Sequence, residues 1–139
     1  MKEPVLADCW LTDLPVKGDE RGRLVALAGG QEVPFAIARV YYIFDSEPDA
    51  PRGFHAHRNL QQYAVCVRGS LTMRLDNGRE RRDVVLNRPD QALYIGSMIW
   101  REIHDLSPDC VLMVLADSPY DEADYIRDYN EFQALVRGE

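Results

Sequence analysis

Two of the three histidines of this 139-residue chain, His55 and His57, are separated by a single residue. In an extended strand, residues two apart face the same side, so both imidazoles would point into one pocket. A neutral imidazole accepts and returns protons near neutral pH because its ordinary pKa is about 6.5. The spacing alone is a weak signal, since surface histidine pairs also match it by chance. It predicts a functional site only if other polar groups converge on the same pocket.

The residues around the pair resemble the first motif of the cupin superfamily, a glycine, His-x-His, three or four residues, a glutamate, six residues and a glycine. Gly53 precedes the pair and Gly69 closes the motif, but Gln62 stands where the glutamate is expected. The stretch from Tyr94 to His104 corresponds to the second motif. It has a glycine but no proline, and Arg101 lies near the position of the third histidine ligand.

These differences from the two cupin motifs argue against a bound metal ion. A mononuclear cupin site uses three histidines and a glutamate, or at least two histidines and a carboxylate. Here the amide of Gln62 replaces the carboxylate, and Arg101 offers no lone pair and repels a divalent cation. Glu102 and His104 are further possible ligands, but in a strand His104 faces the side opposite to Arg101. We therefore predict no metal and no other cofactor.

A metal-free pocket with two histidines and nearby arginines suits proton transfer beside a carbonyl group. The imidazole takes the proton from carbon, while an arginine or a tyrosine hydroxyl stabilises the enolate oxygen. The chemistry indicated is keto-enol isomerisation or epimerisation. Epimerisation would require a histidine supported by an aspartate, and the sequence does not identify that aspartate.

The elements that must position these groups are predicted to be strands. Short apolar runs rich in β-branched and aromatic residues recur with Gly, Pro or Asn breaks between them, as in an all-β sandwich or barrel. The runs cover residues 24–27, 37–44, 63–67, 71–75, 84–86, 92–95 and 110–115. Between two of them, Asn77-Gly78 predicts a hairpin closed by a type I′ turn.

The end of the chain changes to helical periodicity. Apolar residues recur there at three- and four-residue steps, namely Tyr125, Ile126, Tyr129, Phe132 and Val136. Asp121 stands at the N-cap position, and Asp124 would lie in the first turn, where acidic residues suit the helix dipole. We predict one C-terminal helix over about residues 121–137.

Length and composition predict one globular domain over residues 1–139, with 46% hydrophobic and 28% charged residues. A net charge of −7 and the lack of a basic stripe argue against a nucleic-acid partner. The longest apolar run, Cys110 to Ala116, is too short for a membrane span, and the first residues do not resemble a signal peptide. The three cysteines predict buried free thiols in a reducing, cytoplasmic setting.

Four segments in order narrow the resemblance to one family. Residues 39–45, 51–57, 93–96 and 120–127 resemble the bacterial dTDP-4-keto-6-deoxyglucose 3,4-ketoisomerases, small cupins that supply 3-amino-3,6-dideoxyhexose synthesis. The similarity runs from about Asp19 to Phe132. It implies a metal-free cupin jelly-roll barrel, a dTDP-linked 4-keto-6-deoxy sugar as substrate, and a homodimer that exchanges an N-terminal strand, here about residues 5–14.

The resemblance also implies residue roles. His57 would be the base that moves hydrogen between C3 and C4 of the sugar, and His55 would move protons on the oxygens or orient the intermediate. The pocket would be lined by Arg39, Tyr41, Arg52 and Gln62. A metal-dependent cupin enzyme and a non-catalytic sugar-binding cupin are the alternatives, since a fold does not fix a function.

The configuration of the product at C4, galacto or gluco, stays open. One branch of the family pairs an arginine at the position of Arg21 with a histidine at that of Arg101, and the other pairs an aromatic residue with an arginine. This chain has arginine at both positions.

Overall fold

The computed structural model describes residues 2–47 and 49–138. The strands are β1 (Lys2–Leu6), β2 (Cys9–Asp13), β3 (Lys17–Asp19), β4 (Gly22–Leu24), β5 (Arg39–Ile43), β6 (Arg52–His57), β7 (Gln62–Arg68), β8 (Leu71–Asp76), β9 (Arg81–Leu86), β10 (Gln91–Ile95), β11 (Trp100–His104), β12 (Val111–Ala116) and β13 (Tyr125–Ile126). A 3₁₀ turn (Glu122–Asp124) precedes β13, and helix α1 (Tyr129–Arg137) follows it.

Two antiparallel sheets form the body of the protein. The six-stranded sheet has the order β1-β2-β10-β7-β12-β5, and the five-stranded sheet has the order β13-β6-β11-β8-β9. Leu71, Met73 and Leu75 of β8 alternate with more exposed residues and pack in one buried cluster with Cys66 of β7 and Leu112 of β12. Period-two burial of this kind places one face of each sheet in a shared core. The all-β cupin jelly roll with one C-terminal helix is confirmed.

The outer face of the six-stranded sheet is covered by an irregular segment, residues 25–37. Val33 and Phe35 pack there with Tyr63, Val65 and Leu115 in a second buried cluster. The predicted strand over residues 24–27 is therefore wrong, because only Leu24 belongs to a strand, β4. Residues 25 and 27 are apolar because they pack on the sheet, and packing alone does not require strand pairing.

The β8–β9 hairpin is confirmed, but its turn differs from the prediction. Asp76 pairs with Arg81, which leaves a loop over residues 77–80. The side-chain Oδ1 of Asn77 accepts the N–H groups of Arg79 and Glu80, at 2.9 and 2.8 Å. Only Gly78 in the loop has a positive φ, 89°. A two-residue type I′ turn needs two positive φ angles, so that prediction is wrong.

The C-terminal helix begins at Tyr129 rather than at Asp121. Asp128 caps it, since its Oδ1 accepts the N–H groups of Asn130 and Glu131 at 2.8 and 3.1 Å. Asp121 instead caps the 3₁₀ turn. The chain between the two caps forms β13, which pairs with β6. The helical spacing of the apolar residues therefore continued by coincidence through a short strand.

Helix α1 packs through Phe132 against Trp100, Ala56 and Ile126, on the outer side of the five-stranded sheet. Cys9, Cys66 and Cys110 are free and buried, as predicted. Within the described ranges, no helix has the length and apolar character needed to cross a membrane.

Candidate active site

The two histidines lie side by side in β6, between β13 and β11 of the five-stranded sheet. His55 pairs with Arg101 of β11, and His57 pairs with Tyr125 of β13. The centroids of the two imidazole rings are 4.9 Å apart. Just before His55, Phe54 has a φ of 58° and the register with β11 shifts. Such bulges change the direction of nearby side chains, which makes this irregularity part of the site.

His57 is held by a carboxylate that sequence analysis did not identify. Its side chain is 1% exposed, and its Nδ1 lies 2.9 Å from Oδ2 of Asp124. The other oxygen of Asp124 accepts the N–H of Asn59 at 2.8 Å. The Nε2 atom of His57 is buried and has no hydrogen-bond partner among the described residues. The imidazole therefore keeps one nitrogen available for a proton.

His55 is held in a similar way by a backbone carbonyl. Its Nδ1 lies 3.1 Å from the carbonyl oxygen of Gly53. A carbonyl only accepts hydrogen bonds, so Nδ1 carries the hydrogen and Nε2 has the lone pair. Burial, followed by the charge of Arg101, lowers the pKa of His55 to about 4. The ring is thus neutral at neutral pH.

Two opposing effects act on the pKa of His57. Burial lowers its pKa, and the positive charge of Arg101 acts in the same direction. The Asp124 carboxylate favours the imidazolium and opposes the shift. Burial prevails and the pKa of His57 is lowered, because the side chain is deeply buried and Arg39 and Arg127 add further positive charge.

Arg101 supplies a fixed positive charge inside the barrel. Its side chain is 3% exposed. Its Nη1 donates to Oε1 of Gln62 at 2.5 Å, and its Nε and Nη2 donate to the carbonyl oxygen of Ile99 at 3.1 and 3.0 Å. Both acceptors are neutral. A guanidinium stays charged in proteins, and among the described residues no carboxylate bonds this cation to balance its charge.

Tyr41 completes the interior group. Its hydroxyl oxygen accepts a hydrogen bond from Nε2 of Gln62 at 3.1 Å. Burial raises the pKa of Tyr41, which keeps the phenol neutral. A cavity of about 30 Å³, large enough for roughly one water molecule, is lined in part by Tyr41, His55, Gln62 and Arg101. One neutral imidazole, a phenol and a cation therefore share one small space.

A larger cleft of about 280 Å³ adjoins His57 and is lined in part by Arg39 and Tyr125. The guanidinium of Arg39 lies 5.5 Å from the centroid of the Tyr41 ring, and its Nε has no partner among the described residues. The ring of Tyr125 lies 4.4 Å from that of His57, centroid to centroid. Arg127 stacks on Tyr125, 4.2 Å from its centroid. The lining of this cleft thus combines an aromatic face and the Arg39 guanidinium with the carboxylates of Asp121 and Asp124.

Six of the eight residues named from the sequence come together in and beside this interior. They are His55, His57, Arg39, Tyr41, Gln62 and Arg101. Arg52 lies exposed at the start of β6. Arg21 lies on the β3–β4 hairpin, 86% exposed and bonded to Asp19 at 2.7 Å. Within this chain Arg21 therefore lies apart from the six residues that come together.

Asp124 and Tyr125 are the site residues that sequence reasoning missed. Asp124 is separated from His57 by 67 positions along the chain. Its only signal was its place in the segment 120–127, where it was assigned to a helix. The 3₁₀ turn and β13 bring both residues against β6 instead.

The part of the chain that the structure describes has no cluster of three or more His, Cys, Asp or Glu residues arranged to hold a metal ion. Gln62, at the position of the cupin glutamate, bonds Arg101.

A jelly-roll barrel whose interior holds a histidine pair beside an arginine defines a small cupin. The family model described as "FdtA: WxcM-like, C-terminal" matches residues 7–137. The chain belongs to this family of sugar 3,4-ketoisomerases.

Individual relatives of the chain are also named as 3,4-ketoisomerases or 3,4-oxoisomerases. The chain is 49% identical over 118 residues to a TDP-4-oxo-6-deoxy-alpha-D-glucose-3,4-oxoisomerase from Aneurinibacillus thermoaerophilus, which covers 85% of each chain. Among solved structures, a 3,4-ketoisomerase from Helicobacter canadensis is 44% identical with a TM-score of 0.92, over 94% of this chain and 98% of that one. A mutant of the 3,4-ketoisomerase QdtA from Thermoanaerobacterium thermosaccharolyticum, in complex with TDP-4-keto-6-deoxyglucose, is 38% identical with a TM-score of 0.93, over 96% and 97%. The protein is an isomerase.

Proposed function

We propose that the protein is a metal-independent 3,4-ketoisomerase that converts dTDP-4-keto-6-deoxyglucose to a dTDP-3-keto-6-deoxyhexose. The observation that carries the proposal is the pair of neutral imidazoles beside the buried guanidinium of Arg101. The substrate class is taken from the relatives, which are named for 4-keto-6-deoxyglucose attached to TDP.

The reaction is an internal redox exchange with no external electron acceptor. A base removes the proton from C3, and the electron pair of that C–H bond forms the C3–C4 double bond of an enediol. The carbonyl oxygen at C4 gains a proton, and the hydroxyl at C3 loses one. A proton then returns to C4, which leaves the ketone at C3 and a hydroxyl at C4.

The histidine pair suits both kinds of proton transfer. Each ring has its Nδ1 bonded to an acceptor, which leaves Nε2 to take and return protons. We propose that one ring moves hydrogen between the carbons while the other moves a proton between the two oxygens. The assignment of the carbon-bound hydrogen to His57 stays a prediction.

Arg101 and Tyr41 are proposed to stabilise the enediolate. Negative charge develops on a sugar oxygen when the carbon loses its proton, and a fixed cation in a water-poor interior stabilises that charge. Arg39, with an unpartnered Nε beside the cleft, is proposed to bind the diphosphate. Gln62 would orient both Arg101 and Tyr41. Arg52 and Arg21 remain proposed substrate contacts.

Metal independence is supported by charge and ligand chemistry. A divalent cation beside the histidine pair would face the guanidinium of Arg101, which repels it, and Gln62 is a poorer ligand than a carboxylate. Metal analysis of the purified protein tests this point. A stoichiometric transition metal that is required for turnover would favour the metal-dependent alternative.

The test of the function is incubation with dTDP-4-keto-6-deoxyglucose in D₂O, followed by proton NMR. We expect loss of the starting ketone, appearance of a 3-keto sugar and deuterium at C4. Binding without turnover would instead support the non-catalytic alternative, and deuterium at C3 with retention of the 4-ketone would indicate exchange without isomerisation.

Single histidine variants distinguish the proposed roles of His55 and His57. We expect His57→Asn to abolish turnover while leaving nucleotide binding close to normal, because a base contributes little to holding the diphosphate. His55→Asn should slow turnover heavily. The variant that loses the carbon base should also lose solvent exchange at C3. If both variants keep most of the wild-type rate, the proposed mechanism is wrong.

We also propose a cytoplasmic homodimer. The edge strand β5 exposes Val40 and Tyr42, and Phe44 follows it, also exposed. Exposed apolar side chains on an edge strand favour contact with a second chain. Light scattering at micromolar concentration should give about twice the chain mass of 15.9 kDa. A stable monomer would remove the dimer without affecting the catalytic proposal.

A further inference from the structure

Asp124, whose side chain is 13% exposed, links the C-terminal segment to the histidine pair. One of its oxygens lies 2.9 Å from Nδ1 of His57, and the other accepts the backbone N–H of Asn59 at 2.8 Å. Its own carbonyl oxygen accepts the N–H of Arg58 at 2.9 Å. Two contacts fix the carboxylate and a third fixes its backbone, so its position relative to His57 is set by the fold.

The contact determines which nitrogen of His57 carries hydrogen. Both oxygens of a carboxylate accept hydrogen bonds, so Nδ1 of His57 must be the donor. In the neutral ring, the lone pair then lies on Nε2, the buried nitrogen without a partner. A ring with the opposite tautomer would point a hydrogen into the interior and could not accept a proton there.

We propose that Asp124 is a positioning residue that holds His57 as the Nδ1–H tautomer, with Nε2 ready to accept a proton from the substrate. This proposal rests on the proposed function for its effect on turnover. The tautomer itself is a property of the resting protein. The carboxylate also stabilises the imidazolium that forms when Nε2 takes the proton, which favours the transferred state.

The variant Asp124→Asn gives a sharp test because the backbone fixes how the new amide is oriented. The N–H of Asn59 requires an oxygen at its position. The amide NH₂ would then face His57 and donate to Nδ1, which forces the hydrogen onto Nε2. The size and packing of the side chain hardly change, while the tautomer is reversed.

The first measurement is NMR of protein labelled with ¹⁵N-histidine, which identifies the protonated nitrogen of each ring. We expect Nδ1–H for His57 in the wild type and Nε2–H in Asp124→Asn. His55, whose Nδ1 bonds the Gly53 carbonyl, should keep Nδ1–H in both. An Nε2–H tautomer in the wild type, or an unchanged tautomer in the variant, would overturn the proposal whether or not the protein turns over the sugar.

The second measurement is turnover. We expect kcat to fall by about 10²- to 10⁴-fold in Asp124→Asn, the usual contribution of a general base, with KM within a few-fold of wild type. Asp124→Glu, which keeps the charge, should recover part of the loss. Wild-type kcat in Asp124→Asn would refute a positioning role for Asp124 even if the protein is the proposed ketoisomerase.

The matched control is Asp128→Ala. Asp128 caps α1 in the same C-terminal segment and does not contact His57. Loss of this cap should lower stability by a similar or larger amount than Asp124→Asn does, yet leave kcat and the His57 tautomer unchanged. If Asp128→Ala lowers kcat as strongly as Asp124→Asn, then loosening of the segment explains the effect and the positioning role is refuted.

Discussion

Arg101→Met separates the catalytic use of the buried guanidinium from any structural use. Methionine fills the space of the aliphatic part of the arginine side chain, carries no charge and removes all donors. Because the proposed role of Arg101 is to stabilise charge on the enediolate, we expect kcat to fall by about 10²- to 10³-fold, the usual effect of losing one such donor, or about 2.7–4 kcal/mol.

The free energy of unfolding should respond to Arg101→Met differently from kcat. The substitution leaves two acceptors without their donors, Oε1 of Gln62 and the carbonyl oxygen of Ile99. Each unpaired buried acceptor costs about 1–3 kcal/mol. Against this loss, a cation with no bonded carboxylate leaves the interior, and its desolvation penalty amounts to several kcal/mol. The two terms are of similar size, so the free energy of unfolding should change little.

The pH profile supplies an independent readout. The positive charge of Arg101 helps to lower the pKa of His55 and of His57. Without it, both imidazoles should protonate at a higher pH, and the acid limb of kcat/KM should move upward. The assays are the NMR turnover experiment across pH and urea unfolding. If kcat and the acid limb are both unchanged in a folded variant, then Arg101 has no electrostatic role and the reasoning is wrong.

Three further predictions concern stability and product. First, the free energy of unfolding should fall as pH drops from about 6.5 towards 4, by at most about 1.4 kcal/mol per pH unit for each histidine, because the folded state disfavours protonation of His55 while the unfolded chain does not. His55→Asn should make this decline shallower, and an unchanged slope would contradict the assignment. Second, Phe132→Ala should destabilise the protein by about 3–5 kcal/mol in urea unfolding, because this ring is 0% exposed on the face of α1 that packs against the sheet. The half-buried Leu135 gives a matched control, since Leu135→Ala should cost less. Third, Arg101→His should change the ratio of galacto to gluco product by NMR more than it changes nucleotide affinity. An unchanged ratio would remove Arg101 from stereochemical control.

The histidine pair was predictable because the period of a strand is local. Side chains two residues apart lie on the same face of a strand, which places His55 and His57 together. Side chains three residues apart lie on opposite faces, which places Arg101 and His104 on different sides. Arg101 is buried and pairs with His55 across the strands, in agreement with its expected place near the third ligand position of the cupin motif.

Asp124 was not predictable from local pattern. Its contact with His57 depends on how the chain returns to β6 after twelve strands, and nothing in the spacing of neighbouring residues encodes that return. The helical periodicity also placed Asp124 wrongly in a helix, because apolar residues at helical steps continue through β13. Asp121 and Asp128 are both good caps, and tertiary pairing of Ile126 with Ala56 decides which one begins the helix.

The pairing of Gln62 with Arg101 explains why an amide is useful where a carboxylate would be expected. Arg101 has five N–H donors, and three of them bond Gln62 and Ile99. An amide oxygen accepts one of these donors and orients the guanidinium without cancelling its charge. A glutamate at the same place would form an ion pair with Arg101 and reduce the positive potential that reaches the interior. The two remaining N–H groups, on a cation that is still uncompensated, are therefore available to an oxygen that becomes negative as the carbon beside it loses its proton.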